Sequence, residues 1–243
     1  MQELLLYGGC FFLVAFLYSS VGHGGASGYL ALMALFGFAP MLIKPTALLL
    51  NVVVSLIAFI SFYKAKHFKG ALLWPLVMGS IPFAYLGSIM ILPDGIYKKL
   101  LGIVLLLSII RLLWTSSSQT IQPAPKVYWL FMIGASIGLL SGMIGMGGGI
   151  LLSPILVLMH WANQKQTAAI SAIFIFLNSV AGIIGQFQNG FELNAQIGSI
   201  IGFVLVGGWL GAYIGARKIP AQKMKYLLAT VLVLAAGKLF FVK

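Results

Sequence analysis

From Leu4 to Ile43 the chain carries no Asp, Glu, Lys or Arg, and from Gly70 to Leu92 it again carries none. About 20 apolar residues suffice for a helix to cross the hydrocarbon core of a bilayer. In that solvent every backbone N–H and C=O must find its partner within the protein. Runs of this length therefore predict helices, and composition agrees: 61% of residues are hydrophobic and 7% charged, against about 25% charged in soluble domains. A water-soluble globule is excluded, and the expected class is an all-α polytopic membrane protein. The net charge of +12 would suit nucleic acid if it formed one patch. Instead the basic residues punctuate the apolar runs, as loops facing the cytoplasm do, so no nucleic-acid partner is expected. Cys10, the one cysteine, lies inside an apolar run and has no partner for an intrachain disulfide. The N-terminal "MQELLLYGGC" lacks the basic region of a signal peptide and is expected to be retained.

Within these runs the stretch "GMIGMGGGILLSP" places five glycines between Gly142 and Gly149. Each costs a helix interior about 1 kcal/mol relative to alanine, so a helix is expected to stop there. The same pattern occurs earlier in the chain. Gly22, Gly24 and Gly25 of "VGHGGASGYL" match Gly145, Gly147 and Gly148 of "IGMGGGILLS", 123 residues later. "LLLNVVVS" around Asn51 is matched to "FIFLNSVAG" around Asn178, "YLGS" to "WLGA", and "KKLLGIVLLLSIIRLL" to "KYLLATVLVLAAGKLF". The polar stretch "TSSSQTIQPAP" joins the two copies as a loop. The organisation expected is a first transmembrane repeat over 1–114, a linker over 115–126 and a second repeat over 127–243. Internal duplication is characteristic of secondary transporters.

Each repeat reads as a glycine-broken apolar segment followed by three helices: Leu4–Phe38, Thr46–Tyr63, Gly70–Leu92 and Leu100–Trp114, then Val127–Trp161, Thr167–Gln186, Ala195–Ala216 and Tyr226–Val242. These eight hydrophobic segments make up to ten membrane-embedded helices, because the broken segments count twice. Matching loops carry opposite charge bias. "KAKHFK" holds Lys64, Lys66 and Lys69, where its equivalent "FQNGFELN" holds Glu192 and no base; "PDGIYKK" is mixed, where "RKIPAQKMK" holds Arg217, Lys218, Lys223 and Lys225. Copies of opposite orientation produce such a reversal, so the repeats are expected to be inverted. Placing both basic loops in the cytoplasm also puts Arg111, Lys126 and Lys165 there. It leaves Lys44, Lys98, Lys99, Lys238, Lys243 and all three acids outside, with both termini. Each broken segment must then return to the side it entered from. The two become hairpins, with first arms of about 25 Å and second arms of about 19 Å.

A bend at membrane depth is tolerated where protein buries it or where it lines a wet cavity. Here a helix begins immediately after each bend, at Ala26 in one repeat and at Gly149 or Ile150 in the other. The first N–H groups of a helix have no intrahelical acceptor, and its dipole makes the same end positive. Glycine admits close approach to such amides. Two anion-binding cradles are therefore expected, built from Gly22, His23, Gly24, Gly25 and Ala26 and from Gly145, Met146, Gly147, Gly148 and Gly149. The competing reading is close helix packing, which is the expectation for Gly134, Gly138 and Gly142 and for Gly207, Gly211 and Gly215.

Asn51 and Asn178 either donate amides to the anion or bond across helices. Thr46 and Thr167 read as helix caps or as substrate contacts, with Lys44 and Lys165 close by to attract anions. His23 is either a proton carrier or a neutral hydrogen-bonding group. Arg111 and Lys238 suit the last turns of helices, without a substrate role, and Pro75 and Pro82 are expected to kink one helix. No Asp or Glu falls inside any span, which argues against cation transport and against an acidic proton relay.

"GASG" at Gly25–Gly28 resembles the nucleophile motif of rhomboid intramembrane proteases, but His67 and His160 sit at segment ends and the second repeat has no serine equivalent to Ser27. With both glycine clusters, "ILLSP", "TALLLNVVVSL", "FLNSVAGI" and the mid-chain linker in view, the whole chain resembles the TauE/SafE sulfite exporter family, also called the toluene sulfonate uptake permease family. That resemblance implies transport of sulfite or organosulfonate-type anions across a bacterial inner membrane. The function expected is secondary transport of a small anion by alternating access. An anion channel, a carrier of other small organic carboxylates, an accessory membrane scaffold and, last, an intramembrane serine protease are the alternatives. Expected partners are the anionic substrate and the lipid bilayer, with a coupling ion (proton or sodium) and a homodimer left open. No catalytic residue, metal or cofactor is expected.

Overall fold

The structure, a computed structural model, describes residues 2–38, 40–90, 93, 121–123, 125–188, 195–220, 223, 226 and 233. The expected helix Leu100–Trp114 lies outside the described residues, as do all but two residues of Tyr226–Val242. Arg111, Lys238, Asp94, Glu192 and residues 115–120 of the linker lie outside them too. The described residues form no strand. Their helices are α1 (Gln2–Ser20), α2 (Ala26–Leu35), α3 (Pro40–Lys64), α4 (Gly70–Ile89), α5 (Val127–Ile144), α6 (Gly149–Leu158), α7 (Gln164–Gln188) and α8 (Ala195–Arg217). Five of them contain apolar stretches long enough to cross a membrane: Leu42–Lys64, Gly70–Ile89, Val127–Ile144, Gln164–Gln188 and Ile200–Arg217. This is an all-α, polytopic membrane fold.

The two broken segments fold alike down to single hydrogen bonds. Each first arm closes on a left-handed glycine, Gly22 at φ +79° and Gly145 at φ +83°. The next amide then reaches back five residues, His23 to the Tyr18 carbonyl at 2.8 Å and Met146 to the Ser141 carbonyl at 3.1 Å. A left-handed glycine with this reach-back is the usual way to stop a helix sharply. Each second arm opens on another left-handed glycine, Gly25 or Gly148, whose carbonyl accepts from Tyr29 or Leu152 at 3.0 Å in both cases. These second arms are shorter than expected, with 10 residues each. They extend about 15 Å, half of a hydrocarbon core of about 30 Å.

Small residues set the helix pairing. A Cβ on Gly134, Gly138 or Gly142 of α5 would strike the backbone of Leu76, Ser80 or Ala84 of α4; on Gly207, Gly211 or Gly215 of α8 it would strike Phe12, Phe16 or Ser20 of α1. These glycines are packing residues, as their spacing predicts. Both pairs run parallel, since residue numbers rise together. Between α3 and α7 they run opposite: Leu48 lies against Gly182, Asn51 against Ser179 and Phe62 against Ala168. α3 runs with α8, where Val54 faces Gly208 and Ala58 clusters with Ala212, and α7 runs with α4, where Asn178 meets Ser80 and Gly185 meets Ser88, so α1, α3 and α8 run opposite to α4, α5 and α7.

One end of the bundle gathers the end of α3, the starts of α4 and α7 and the end of α8. Lys64, Lys66, Lys69, Lys165, Arg217 and Lys218 all belong to it. There the Ala216 carbonyl, freed by the helix terminus, accepts from Lys165 Nζ at 3.3 Å and contacts His67 Nε2 at 3.2 Å. Burial pushes the His67 imidazole below its ordinary range; the Ala216 bond opposes this and the Lys165 charge adds to it. At the opposite end the Ser88 carbonyl plays the same part for Lys44 Nζ (3.1 Å) and Gln186 Nε2 (2.6 Å). A lysine from the first turns of one helix thus satisfies the C-terminus of another at each end.

Thr46 and Thr167 do not cap their helices. α3 begins at Pro40, where a missing N–H costs nothing, and α7 begins at Gln164. The cap of α7 is Asn163: its Oδ1 accepts from the Gln166 amide at 2.9 Å while Gln166 Oε1 accepts from the Asn163 amide at 3.1 Å. This is a reciprocal capping box. Pro75 and Pro82 both lie inside a helix that continues from Gly70 to Ile89.

Candidate substrate site

Both bends are buried throughout, residues 21–30 and 144–150, and they meet across one side chain. Asn51 of α3 accepts from the Ala26 amide through Oδ1 at 3.0 Å. Through Nδ2 it donates to the Met146 carbonyl at 3.2 Å and to Ser179 Oγ of α7 at 3.5 Å. Its amide therefore caps the helix that leaves the first bend and holds the backbone of the second. Glycine is required for this approach: a Cβ on Gly24 would collide with Asn51 Oδ1, and one on Gly147 would lie 2.6 Å from Ser179 Oγ and 3.1 Å from Asn51 Nδ2. Gly147 and Gly148 are consecutive left-handed residues, at φ +67° and +80°.

A second bridge runs through His23. Its Nδ1 lies 3.2 Å from the Val21 carbonyl and its Nε2 lies 3.2 Å from Ser153 Oγ on α6. Ser153 in turn lies 2.7 Å from Ser171 Oγ on α7. His23 is 1% exposed, Ser153 1% and Ser171 0%, so this polar thread is sealed within an otherwise apolar core. Phe11, Tyr29, Met33, Val54, Met146 and Ile150 belong to one buried apolar cluster that takes in both bends.

The two cradles are not equivalent. In the first, Asn51 Oδ1 already occupies the Ala26 N–H. In the second, the start of α6 has no side-chain cap, and the amides of Gly149 and Ile150 have no acceptor among the described residues. Ile175 of α7, not an asparagine, stands beside Gly149. Ile175 and not Asn178 is therefore the α7 side chain beside the start of α6. Asn178 faces α4, where Nδ2 donates to Ser80 Oγ at 3.0 Å and to the Phe174 carbonyl at 2.8 Å. Its buried Oδ1 has no partner among the described atoms, a property shared by Thr46 Oγ1, Thr167 Oγ1 and the Tyr29 hydroxyl. The Tyr29 hydroxyl would lie 2.9 Å from a Cβ on Gly25, which places it over the first bend.

Of the residues singled out in sequence, Gly22 to Ala26, Gly145 to Gly149 and Asn51 converge. Thr46 and Thr167 lie in the same buried core, near the two bends: Gly145 packs against the Lys44 side chain and Gly22 against the backbone of Ala168. Asn178 belongs to the α4–α7 contact. Ser27 bonds the Tyr18 hydroxyl at 2.7 Å, so its recorded partner is a phenol and not a histidine. Ser153, Ser171, Ser179 and Tyr18 were not anticipated. Ser153 lies in "ILLSP", but a serine in an apolar helix carries the same signal whether it packs or binds. No cluster of metal-ligating side chains occurs among the described residues.

The family model described as "Sulfite exporter TauE/SafE" matches residues 7–239. The chain belongs to this family. Among its relatives, "Probable membrane transporter protein y4hK" of Sinorhizobium fredii is 35% identical over 236 residues, 95% of this chain and 96% of that protein. "Probable membrane transporter protein YunE" of Bacillus subtilis is 24% identical, covering 83% of this chain and 81% of its own. "Probable membrane transporter protein MJ0441" of Methanocaldococcus jannaschii is 27% identical, with 77% and 74% covered. No solved structure matches the chain. A member of the TauE/SafE family that is helical, apolar and crossed by broken helices is a multi-pass membrane protein of a transporter family.

Proposed function

We propose that this TauE/SafE protein is a secondary transporter and not an enzyme. In this reading it carries a small anion of the sulfite or organosulfonate type. The anion binds between the two bends, against the free amides at the start of α6, and alternating movement of the repeats exposes it to either side. The observation that carries this reading is the contrast between the bends. The first helix start is capped by an oxygen of Asn51, and the second, a few residues away across the same side chain, presents uncapped amides at a positive helix end. A neutral amide oxygen at one helix start marks the geometry in which an anionic oxygen would be held at the other. The opposite directions of corresponding helices favour inverted repeats. The basic end of the bundle is then cytoplasmic, both termini are periplasmic and the membrane is the bacterial inner membrane.

The test is a thermal-unfolding panel on the purified protein with sulfite, thiosulfate, sulfoacetate, toluenesulfonate and lactate. A bound anion stabilises the fold by about 2.7 kcal/mol at 100 times its dissociation constant. At least one sulfur oxyanion is expected to raise the melting temperature in a saturable way. A flat response to all five would refute the reading, and a response to lactate alone would move it to carboxylates.

A further inference from the structure

His23 is the one histidine inside the joined bends, and its hydrogen bonds have a fixed direction. The Val21 carbonyl can only accept, so in the neutral ring Nδ1 carries the hydrogen and Nε2 is a bare acceptor. Ser153 must then donate to Nε2 and accept from Ser171. Protonation places a hydrogen on Nε2 and reverses this thread: His23 donates, and Ser153 turns its hydroxyl toward Ser171. The backbone of Gly149, the first residue of α6, is within reach of the same ring. A proton on His23 therefore adds positive charge beside the amides assigned to the anion and resets a bond between the two hairpins.

The surroundings offer that charge backbone groups of Val21 and Gly149 but no counter-ion among the described residues. The titratable groups on the elements packed about the ring are Glu3, Tyr7, Cys10 and Tyr18 (α1), Tyr29 (α2), Lys44, Tyr63 and Lys64 (α3) and Lys165 (α7). α6 presents Ser153, and no carboxylate faces the ring among the described residues. A buried imidazolium without a counter-ion is costly, and so is a buried anion. Each removes the other's penalty.

We infer that His23 takes up one proton together with the anion, so that a monovalent sulfonate or hydrogen sulfite enters the bends as a neutral pair and transport is proton-coupled. This rests on the anion reading above. In balance, one proton from the medium joins the Nε2 lone pair as one monoanion binds, and both leave together on the other side.

Toluenesulfonate is the probe, because it stays fully ionised while histidine titrates. Calorimetry in two buffers of different ionisation enthalpy counts the protons taken up; about one per anion is expected. Above the pKa of free His23, affinity is expected to fall about tenfold per pH unit, and His23→Gln is expected to bind with no pH dependence. Without any anion, nitrogen-detected resonance of labelled histidine is expected to show the Nδ1–H tautomer at His23. Binding of toluenesulfonate without proton uptake, equal pH dependence in His23→Gln, or an Nε2–H tautomer would overturn the inference alone. Failure to bind both toluenesulfonate and sulfite would overturn the anion reading and this inference with it.

Discussion

Asn51 presents the two sides of one amide to two different bends, oxygen to Ala26 and nitrogen to Met146. Asn51→Asp keeps the shape and the cap at Ala26 but leaves a carboxylate facing a carbonyl and places a fixed negative charge between the bends. Like charges at such range in a buried site cost several kcal/mol. The variant is expected to fold with a cap intact and to lose at least tenfold in sulfite affinity, read by titration calorimetry. Unchanged affinity would remove the anion from this position. The bends themselves were legible from sequence, because a glycine cluster is costly in a helix and here it occurs twice at one spacing. Asn51 and Asn178, matched in sequence, do different work: Asn51 holds the two bends and Asn178 joins α7 to α4. Ser153, Ser171 and Ser179 gave no separate signal, since serine also serves as a packing residue in membrane helices.

At the scale of elements, the starts and stops of helices decide where each side chain points. α1 and α5 stop on left-handed glycines, and those stops were legible. The start of α7 was placed on Thr167, but the Asn163–Gln166 box begins the helix earlier and leaves Thr167 buried, its hydroxyl without a partner among the described residues. A capping box and a threonine a few residues on compete for the same assignment in a sequence, and only the backbone bonds separate them. Asn163→Ala is therefore expected to lower stability by about 1 kcal/mol, read by denaturant unfolding in detergent, with anion affinity retained. Loss of affinity without loss of stability would show that the end of α7 matters to the site in another way. The first turns of α3 show the same effect of an earlier start. With Pro40 opening the helix, Lys44 lies within it, packs against Gly145 and spends its amine on the Ser88 carbonyl.

Across the whole molecule, α1 pairs with α8 and α4 with α5, so the first arm of each broken segment is held by a helix from outside that segment. The bends meet where α3 and α7 cross, at Asn51 and Ser179. The glycine rows were legible as packing surfaces from their spacing, while the helix each row packs against could not be read from it. In a Cys10→Ser background, cysteines at Lys66 and Lys218 are expected to react with a membrane-impermeant maleimide only in inside-out vesicles, and one at Met90 only in right-side-out cells. Labelling of Lys66→Cys and Lys218→Cys from opposite sides would exclude the common cytoplasmic end.

The most direct test is anomalous diffraction from crystals soaked in selenite, whose selenium stands in for the sulfur of sulfite. A selenium peak between the bends is predicted, with its oxygens about 3 Å from the amides of Gly149 and Ile150 and close to Asn51. Selenite bound only at the protein surface, in crystals of protein that sulfite demonstrably stabilises, would contradict the account.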